Sequence, residues 1–154
     1  MKHLFLIFFL LFSLKSFSQV EFYLSNGSGY DTLNILNGTT VNLNENSSFV
    51  ELTMGCKNTS TDSLDLFIKR KIFTSSWSFL NDQLCDNNLC YSCFGDDWTT
   101  PAPNPLQPGD SCLMKGTFYF YNGGDVLIRY YILDLSDNPI DSVDVNIINT
   151  VSVK

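Results

Sequence analysis

Short runs in which every second side chain is apolar recur along most of this chain. Between residues 50 and 56 the even positions hold Val, Leu, Met and Cys, while Glu51, Thr53 and Lys57 occupy odd ones. Because successive side chains of a β-strand point to opposite faces, this pattern predicts strands with one buried face. β-branched and aromatic residues dominate the runs, and no long stretch after residue 18 has the period of a helix.

Clusters of Asn, Asp, Gly and Ser separate seven such runs, as turns require. One-sided alternation in consecutive strands predicts an all-β fold, an antiparallel two-sheet immunoglobulin-like sandwich, with a small barrel as the alternative. Residues 19–38 are expected to form a loosely ordered strand and loop. The sixth run is apolar or aromatic on both faces apart from Arg129, which favours a central strand or one whose outer face meets a partner. The seven predicted strands are Val20–Leu24, Thr39–Leu43, Phe49–Lys57, Leu64–Ile72, Cys112–Tyr121, Asp125–Leu133 and Ser142–Ile148.

The connection from Phe73 to Ser111 is long and holds three of the five cysteines and both tryptophans. Connections of this length are uncommon unless they are functional or cross-linked. Cys85 and Cys90 bracket a turn-rich tetrad, so we expect a disulfide between them. The proline-rich segment from Trp98 to Pro105 is compatible with a poor edge strand or with a path across the surface.

Residues 1–18 have a basic start, an apolar run from Leu4 to Leu14 and small residues at the end. This order is typical of a secretory signal, and we predict cleavage between Ser18 and Gln19. A membrane anchor or a buried helix is the alternative, although the run is shorter than the roughly 20 residues that span a bilayer. We therefore expect a secreted or periplasmic protein with no transmembrane anchor in the mature chain, and one β-sandwich domain over 19–154.

Charge and composition exclude several functions. The chain has 16 acidic and 9 basic residues, and the predicted signal carries two lysines and the one histidine. The mature chain would have a net charge of −9, which repels phosphate backbones, so no nucleic-acid partner is expected. Without histidine, Ser-His-Asp, Cys-His and His-ligated zinc sites are excluded. We predict no catalytic residues, no metal site and no cofactor. Carboxylate chemistry by Asp96, Asp97 or Asp110 is the enzymatic alternative.

The remaining cysteines allow two pairings. An exported chain meets an oxidising compartment in which thiols usually pair. Cys56 lies near the end of the third predicted strand and Cys112 near the start of the fifth, so we predict a disulfide between them if these strands are neighbours. A Cys93–Cys112 bond is the rival, and Cys93 is the expected free thiol. The two-residue spacer between Cys90 and Cys93 is by itself weak evidence for zinc.

Three motifs occur in order: Cys85-Asp-Asn-Asn-Leu-Cys90-Tyr91, Pro108-Gly-Asp-Ser111 and Asn138-Pro-Ile-Asp-Ser-Val143. With Trp77 before the first motif, the set resembles small secreted immunoglobulin-like domains common among exported Bacteroidota proteins, over about 49–148. The resemblance implies the fold and export and says almost nothing about activity. It also implies O-glycosylation at Asp-Ser/Thr-apolar triplets, although the same residues suit plain turns. The matching positions are Thr32, Ser63 and Ser142.

Two functional hypotheses follow. The first is an exported non-catalytic structural or adhesive binding module whose partner is an extracytoplasmic protein or glycan. The alternative is a carbohydrate-binding module in which aromatic side chains of the long connection stack on sugar rings. If Trp77 and Phe79 instead close the open end of the sandwich, they supply only buried area. The candidate ligand contacts are Trp77, Tyr91, Phe94 and Trp98.

Overall fold

A computed structural model of the chain describes residues 19–25 and 36–151; the predicted signal at 1–18 and the triplet serving Thr32 lie outside them. Within the described residues the chain forms eleven β-strands and no helix, and hence no helix that could cross a membrane. The strands are β1 Val20–Leu24, β2 Thr40–Glu45, β3 Phe49–Asn58, β4 Leu64–Ser75, β5 Phe79–Cys85, β6 Cys90–Ser92, β7 Asp97–Thr99, β8 Asn104–Leu106, β9 Ser111–Phe120, β10 Gly124–Leu133 and β11 Pro139–Asn149.

Two sheets pack face to face, which confirms the predicted immunoglobulin-like sandwich. Sheet 1 has the order β1-β3-β9-β5-β6, and sheet 2 has the order β2-β11-β10-β4-β7, with β8 beside the first residues of β4. Strand β10 lies between β4 and β11, so the prediction of a central strand is confirmed. Uniformly antiparallel pairing was wrong for β2, which runs parallel to β11 from Thr40 opposite Asp144 to Glu45 opposite Asn149. Alternation marks the buried face of a strand and carries no information about its direction.

The core between the sheets is built from the alternating apolar positions of the sequence. Sheet 2 contributes every second residue of β10 and β11, and sheet 1 contributes the corresponding positions of β3 and β9. Each large side chain that is fully removed from water contributes about 1.5–3 kcal/mol. The fully or almost fully buried members of these four strands include Leu52, Met54, Met114, Phe118, Phe120, Val126, Ile128, Ile132, Val143, Val145 and Ile147.

Both predicted disulfide pairs are present. Cys56 and Cys112 lie directly opposite each other in the antiparallel β3–β9 pair, and both point into the core. Cys85 and Cys90 close the β5–β6 hairpin at its turn. Cys93 is the free thiol of the described residues, and it is buried.

The long connection is not a loop, and the prediction of about seven strands was too low. It contains β5, which enters sheet 1 beside β9, and three shorter strands. Strands β7 and β8 both run along β4 as one interrupted edge strand. Pro103 and Pro105 have no backbone N–H to donate, which an edge position tolerates because its outer side has no partner strand. Three-residue strands are too short to show alternation, and the polar sequence Asn81-Asp82-Gln83 hides β5.

Candidate functional site

The four aromatic side chains predicted to share one ligand site lie in separate places. Trp77 lies in the turn between β4 and β5, with its ring centroid 6.5 Å from that of Tyr121. Tyr91 of β6 and Trp98 of β7 contact each other at 5.6 Å, where the edges of the two sheets meet. Tyr91 is opposite Leu84, near the far end of β5, which places this pair roughly 20 Å from Trp77 at about 3.3 Å per residue. One shared loop site is therefore not formed.

The burial of these side chains differs as well. Trp77 is 80% exposed, so the interpretation that it closes the open end of the sandwich was wrong. Phe79 does pack against the core, with its ring 5.5 Å from that of Phe120. Trp98 is half-buried and also packs against the core, whereas Phe94 is 74% exposed between β6 and β7.

Trp77 instead joins a row of rings that we call the aromatic strip, defined as Phe49, Tyr119, Tyr121 and Trp77. Phe49 at the start of β3 contacts Tyr119 of β9 with centroids 5.6 Å apart. Tyr119 and Tyr121 are separated by two strand positions, or about 7 Å. The exposed fractions are 45% for Phe49 and 60% for Tyr121. The strip thus leaves three of its four aromatic side chains exposed, while Tyr119 is half-buried between them.

The strand pattern explains why the strip points outward. Phe118 and Phe120 of β9 are buried between the sheets, so the alternating Tyr119 and the following Tyr121 must point away from the core. Phe49 is paired with Tyr119 in the β3–β9 register. Paired strands hold Phe49 and Tyr119, whereas Tyr121 directly follows β9 and Trp77 lies in the turn between β4 and β5. Contiguous exposed apolar side chains of this kind mark interaction surfaces.

The surroundings of the strip contain an ion pair, an exposed carboxylate and an exposed amide. Lys115 and Glu51, the charged outer residues nearest to Tyr119 on β9 and β3, form an ion pair at 2.5 Å. Asp125 is exposed, and its backbone amide donates to the hydroxyl of Ser76, the residue before Trp77. Asn81 of β5 is exposed opposite Tyr119, and its amide can donate and accept hydrogen bonds without net charge.

A polar cluster centred on Arg70 of β4 lies inside the sandwich. The Arg70 guanidinium donates to both carboxylate oxygens of Asp82 on β5, with Nε to Oδ2 at 2.8 Å, and to the carbonyl of Gly95. Arg70 and Asp82 are almost fully buried. The pair joins the two sheets and fixes the segment that carries Phe94.

The surroundings raise the pKa values of Cys93, Tyr130 and Arg70 in this cluster. Burial, followed by the charge of Asp82, raises the pKa of the Cys93 thiol to about 12. The same two causes raise the pKa of Tyr130 well above its usual value. Burial disfavours the charged form of Arg70, but hydrogen bonding and attraction to Asp82 outweigh it and raise the pKa of Arg70. A protonated, buried thiol is a poor nucleophile, so we interpret the cluster as stabilising the fold rather than taking part in catalysis.

The carboxylates considered for catalysis are separated by their contacts. Asp97 forms an ion pair with Lys69 at 2.9 Å on the outer face of sheet 2. The carboxylate of Asp110 accepts a hydrogen bond from the backbone amide of Gln107 in the turn before β9. Over residues 19–25 and 36–151, no group of three or more His, Cys, Asp or Glu side chains is placed to hold a metal ion.

The outer face of β10 carries a second, charged surface. Arg129 donates to both oxygens of Asp144, and this hydrogen bonding raises the pKa of Arg129. Its guanidinium also lies 5.1 Å from the ring centre of Phe73 and 5.9 Å from that of Tyr131. The charge of Arg129 is thus paired with Asp144 and packed against aromatic rings of the same face, so its position does not require a bound ligand.

Two of the expected glycosylation positions can be located. Ser63 is exposed in the turn between β3 and β4, where its hydroxyl donates to Gln107. Ser142 is half-buried within β11, opposite Tyr131. A transferase reaches a turn more readily than a paired strand, so Ser63 is the more accessible acceptor. Modification at either position stays a prediction.

Comparison with known proteins identifies the fold. No protein-family model matches the chain, and no curated protein sequence matches it. The N-terminal domain of PorA is similar in structure with a TM-score of 0.54 and 16% identity, over 88% of this chain and all of that domain. A family 123 glycoside hydrolase from Clostridium perfringens is similar with a TM-score of 0.54 and 6% identity, over 87% of this chain but only 28% of the hydrolase. At these identities the likeness concerns the sandwich fold alone.

Proposed function

We propose that this chain is an exported, non-catalytic binding module that contacts its partner through the aromatic strip. The observation that carries the proposal is the strip itself, in which Phe49 at the start of β3, Tyr121 directly after β9 and Trp77 in the β4–β5 turn are exposed. Exposed aromatic side chains are enriched where proteins bind, because each offers a large contact area at low entropic cost. The partner is an extracytoplasmic protein or glycan.

Export is supported by three features. Residues 1–18 have the order of a secretory signal, and the chain resembles secreted Bacteroidota domains in its cysteine-bracketed motif. The two disulfides are typical of proteins that fold in an oxidising compartment. Intact mass of the extracellular product should correspond to a chain that begins at Gln19 with four oxidised cysteines. A product that begins at Met1 and stays in the cytosol would contradict export.

A non-catalytic role is supported by the contacts of several ionisable side chains, which are paired with one another or buried. Arg70 and Asp82 neutralise each other in the core, and the Cys93 thiol is buried and protonated. Asp97 and Asp144 are engaged in ion pairs on the surface.

A capture experiment tests the role of the strip. Immobilised wild-type domain, the double variant Trp77→Ala/Tyr121→Ala and the control Phe94→Ala would each be incubated with envelope and culture-medium fractions. We expect a component that the wild type and Phe94→Ala retain and the double variant loses, since Phe94 is equally exposed but lies outside the strip. Retention by the double variant at wild-type level would refute the proposal.

A further inference from the structure

Resting on the proposed function, we infer that the aromatic strip binds a single, uncharged and conformationally twisted polysaccharide chain. Aromatic faces pack against the apolar C–H faces of sugar rings, while the sugar hydroxyls need polar partners beside the ring. The strip supplies exposed rings, and the exposed amide of Asn81 lies opposite Tyr119.

The ring angles select among polysaccharides. Phe49 and Tyr119 have an interplanar angle of 64°, and Trp77 and Tyr121 have one of 50°. A crystalline polysaccharide presents a flat face that requires coplanar rings. Rings inclined to one another match a free chain in which each sugar is rotated relative to its neighbour. The geometry therefore points to soluble chains rather than to crystalline surfaces.

Electrostatics disfavours an acidic ligand. Lys115 and Glu51 on β9 and β3 neutralise each other, whereas the exposed Asp125, whose backbone amide donates to the Ser76 hydroxyl beside Trp77, adds a carboxylate near the strip. The whole chain has a net charge of −7, which also disfavours approach of an acidic polysaccharide or of a second copy of the same domain. A neutral glycan meets no such repulsion, and its hydroxyls can form hydrogen bonds with the exposed Asn81 amide.

Affinity electrophoresis in native gels provides the test. Gels would contain soluble xyloglucan, galactomannan or mixed-linkage β-glucan, with alginate as the acidic counterpart, and crystalline cellulose would be used in a sedimentation assay. We expect at least one neutral polysaccharide to retard the wild type and Phe94→Ala equally. Trp77→Ala and Tyr121→Ala should each weaken binding about tenfold, and alginate and crystalline cellulose should retain nothing. Circular dichroism would verify that every variant is folded.

The outcomes separate the two proposals. Absence of retardation by all neutral polysaccharides, preferential binding to alginate or crystalline cellulose, or equal loss in Phe94→Ala and Trp77→Ala would each overturn the glycan inference. If no polysaccharide binds but an envelope protein is still captured through Trp77 and Tyr121, the glycan inference fails and the binding-module proposal stands. If neither ligand depends on the strip, both fail.

Discussion

Arg70 occupies an inward position of β4, between Ile68 and Ile72, where the alternation calls for an apolar side chain. Burying a charge is tolerated only if a partner and hydrogen bonds compensate for the lost water. Asp82 on the opposite sheet supplies two acceptors and the carbonyl of Gly95 supplies a third. The pair therefore specifies how the edges of the two sheets face each other.

Removing one partner of this pair should strongly destabilise the fold. Asp82→Ala leaves the Arg70 guanidinium buried without a counter-ion, and we expect a loss of about 3–5 kcal/mol in the free energy of unfolding. Urea denaturation without reductant measures this loss. The matched control is Arg70→Met/Asp82→Leu, which removes both charges and should recover most of the stability. A loss below about 1 kcal/mol for Asp82→Ala would show that water reaches the pair.

The buried thiol predicts a pH dependence. The folded state keeps the proton on Cys93 until about pH 12, whereas the ordinary thiol loses it near pH 9. The free energy of unfolding therefore falls as the pH rises above 9, by up to about 1.4 kcal/mol per pH unit, and the thiol adds no slope well below pH 9. Between pH 8 and pH 10 the wild type should lose about 1 kcal/mol more than Cys93→Ala in urea titrations. Parallel losses in both proteins would mean that the thiol is not shielded.

At the scale of elements, the two disulfides should differ in their effect on stability. The Cys56–Cys112 bond closes a segment with a sequence separation of 56, and the Cys85–Cys90 bond one of 5. In the chain-entropy description, their removal costs roughly 4 and roughly 2 kcal/mol respectively. Chemical denaturation of Cys56→Ala/Cys112→Ala and Cys85→Ala/Cys90→Ala gives the comparison. Equal losses would indicate that local strain or residual structure, rather than loop length, determines the effect.

The elements that the sequence predicts and those that it misses differ in length and neighbours. Strands β3, β9, β10 and β11 have ten or eleven residues, so their alternation is visible, and a short turn joins the paired strands β10 and β11. Strands β6, β7 and β8 have three residues each and form only because β4 and β5 offer an edge to pair with. That edge exists only after the sandwich has assembled, so the local sequence does not predict these three strands.

On the scale of the whole molecule, one part of the candidate site was visible in the sequence and the rest was not. Trp77 was identified as one of several aromatic residues in the long connection between Phe73 and Ser111. Tyr119 and Tyr121 were overlooked because they lie in a continuous aromatic run with Phe118 and Phe120, where both faces of the strand look buried. The run did contain the necessary information, because aromatic residues at odd and even positions alike indicate a strand whose outer face is also apolar.

Stability and binding should separate between Phe120, the last residue of β9, and Tyr121, which follows it. Tyr121 is exposed and Phe120 is buried, although they are neighbours in sequence. Tyr121→Ala should change the free energy of unfolding by no more than about 0.5 kcal/mol, whereas Phe120→Ala should cost about 3–5 kcal/mol through the cavity it leaves. Thermal and urea unfolding of the two variants measure the difference. A large loss for Tyr121→Ala would make the strip a packing element instead of a contact surface.

Hydroxyl-radical footprinting, with and without the captured envelope component or polysaccharide, tests the central claim most directly. Mass spectrometry reports the oxidation of each aromatic side chain in both states. The account predicts protection of Trp77 and Tyr121 on binding, with Phe94 and Tyr91 oxidised to the same extent in both. Protection of Phe94 and Tyr91 with no change at Trp77 and Tyr121 would contradict it.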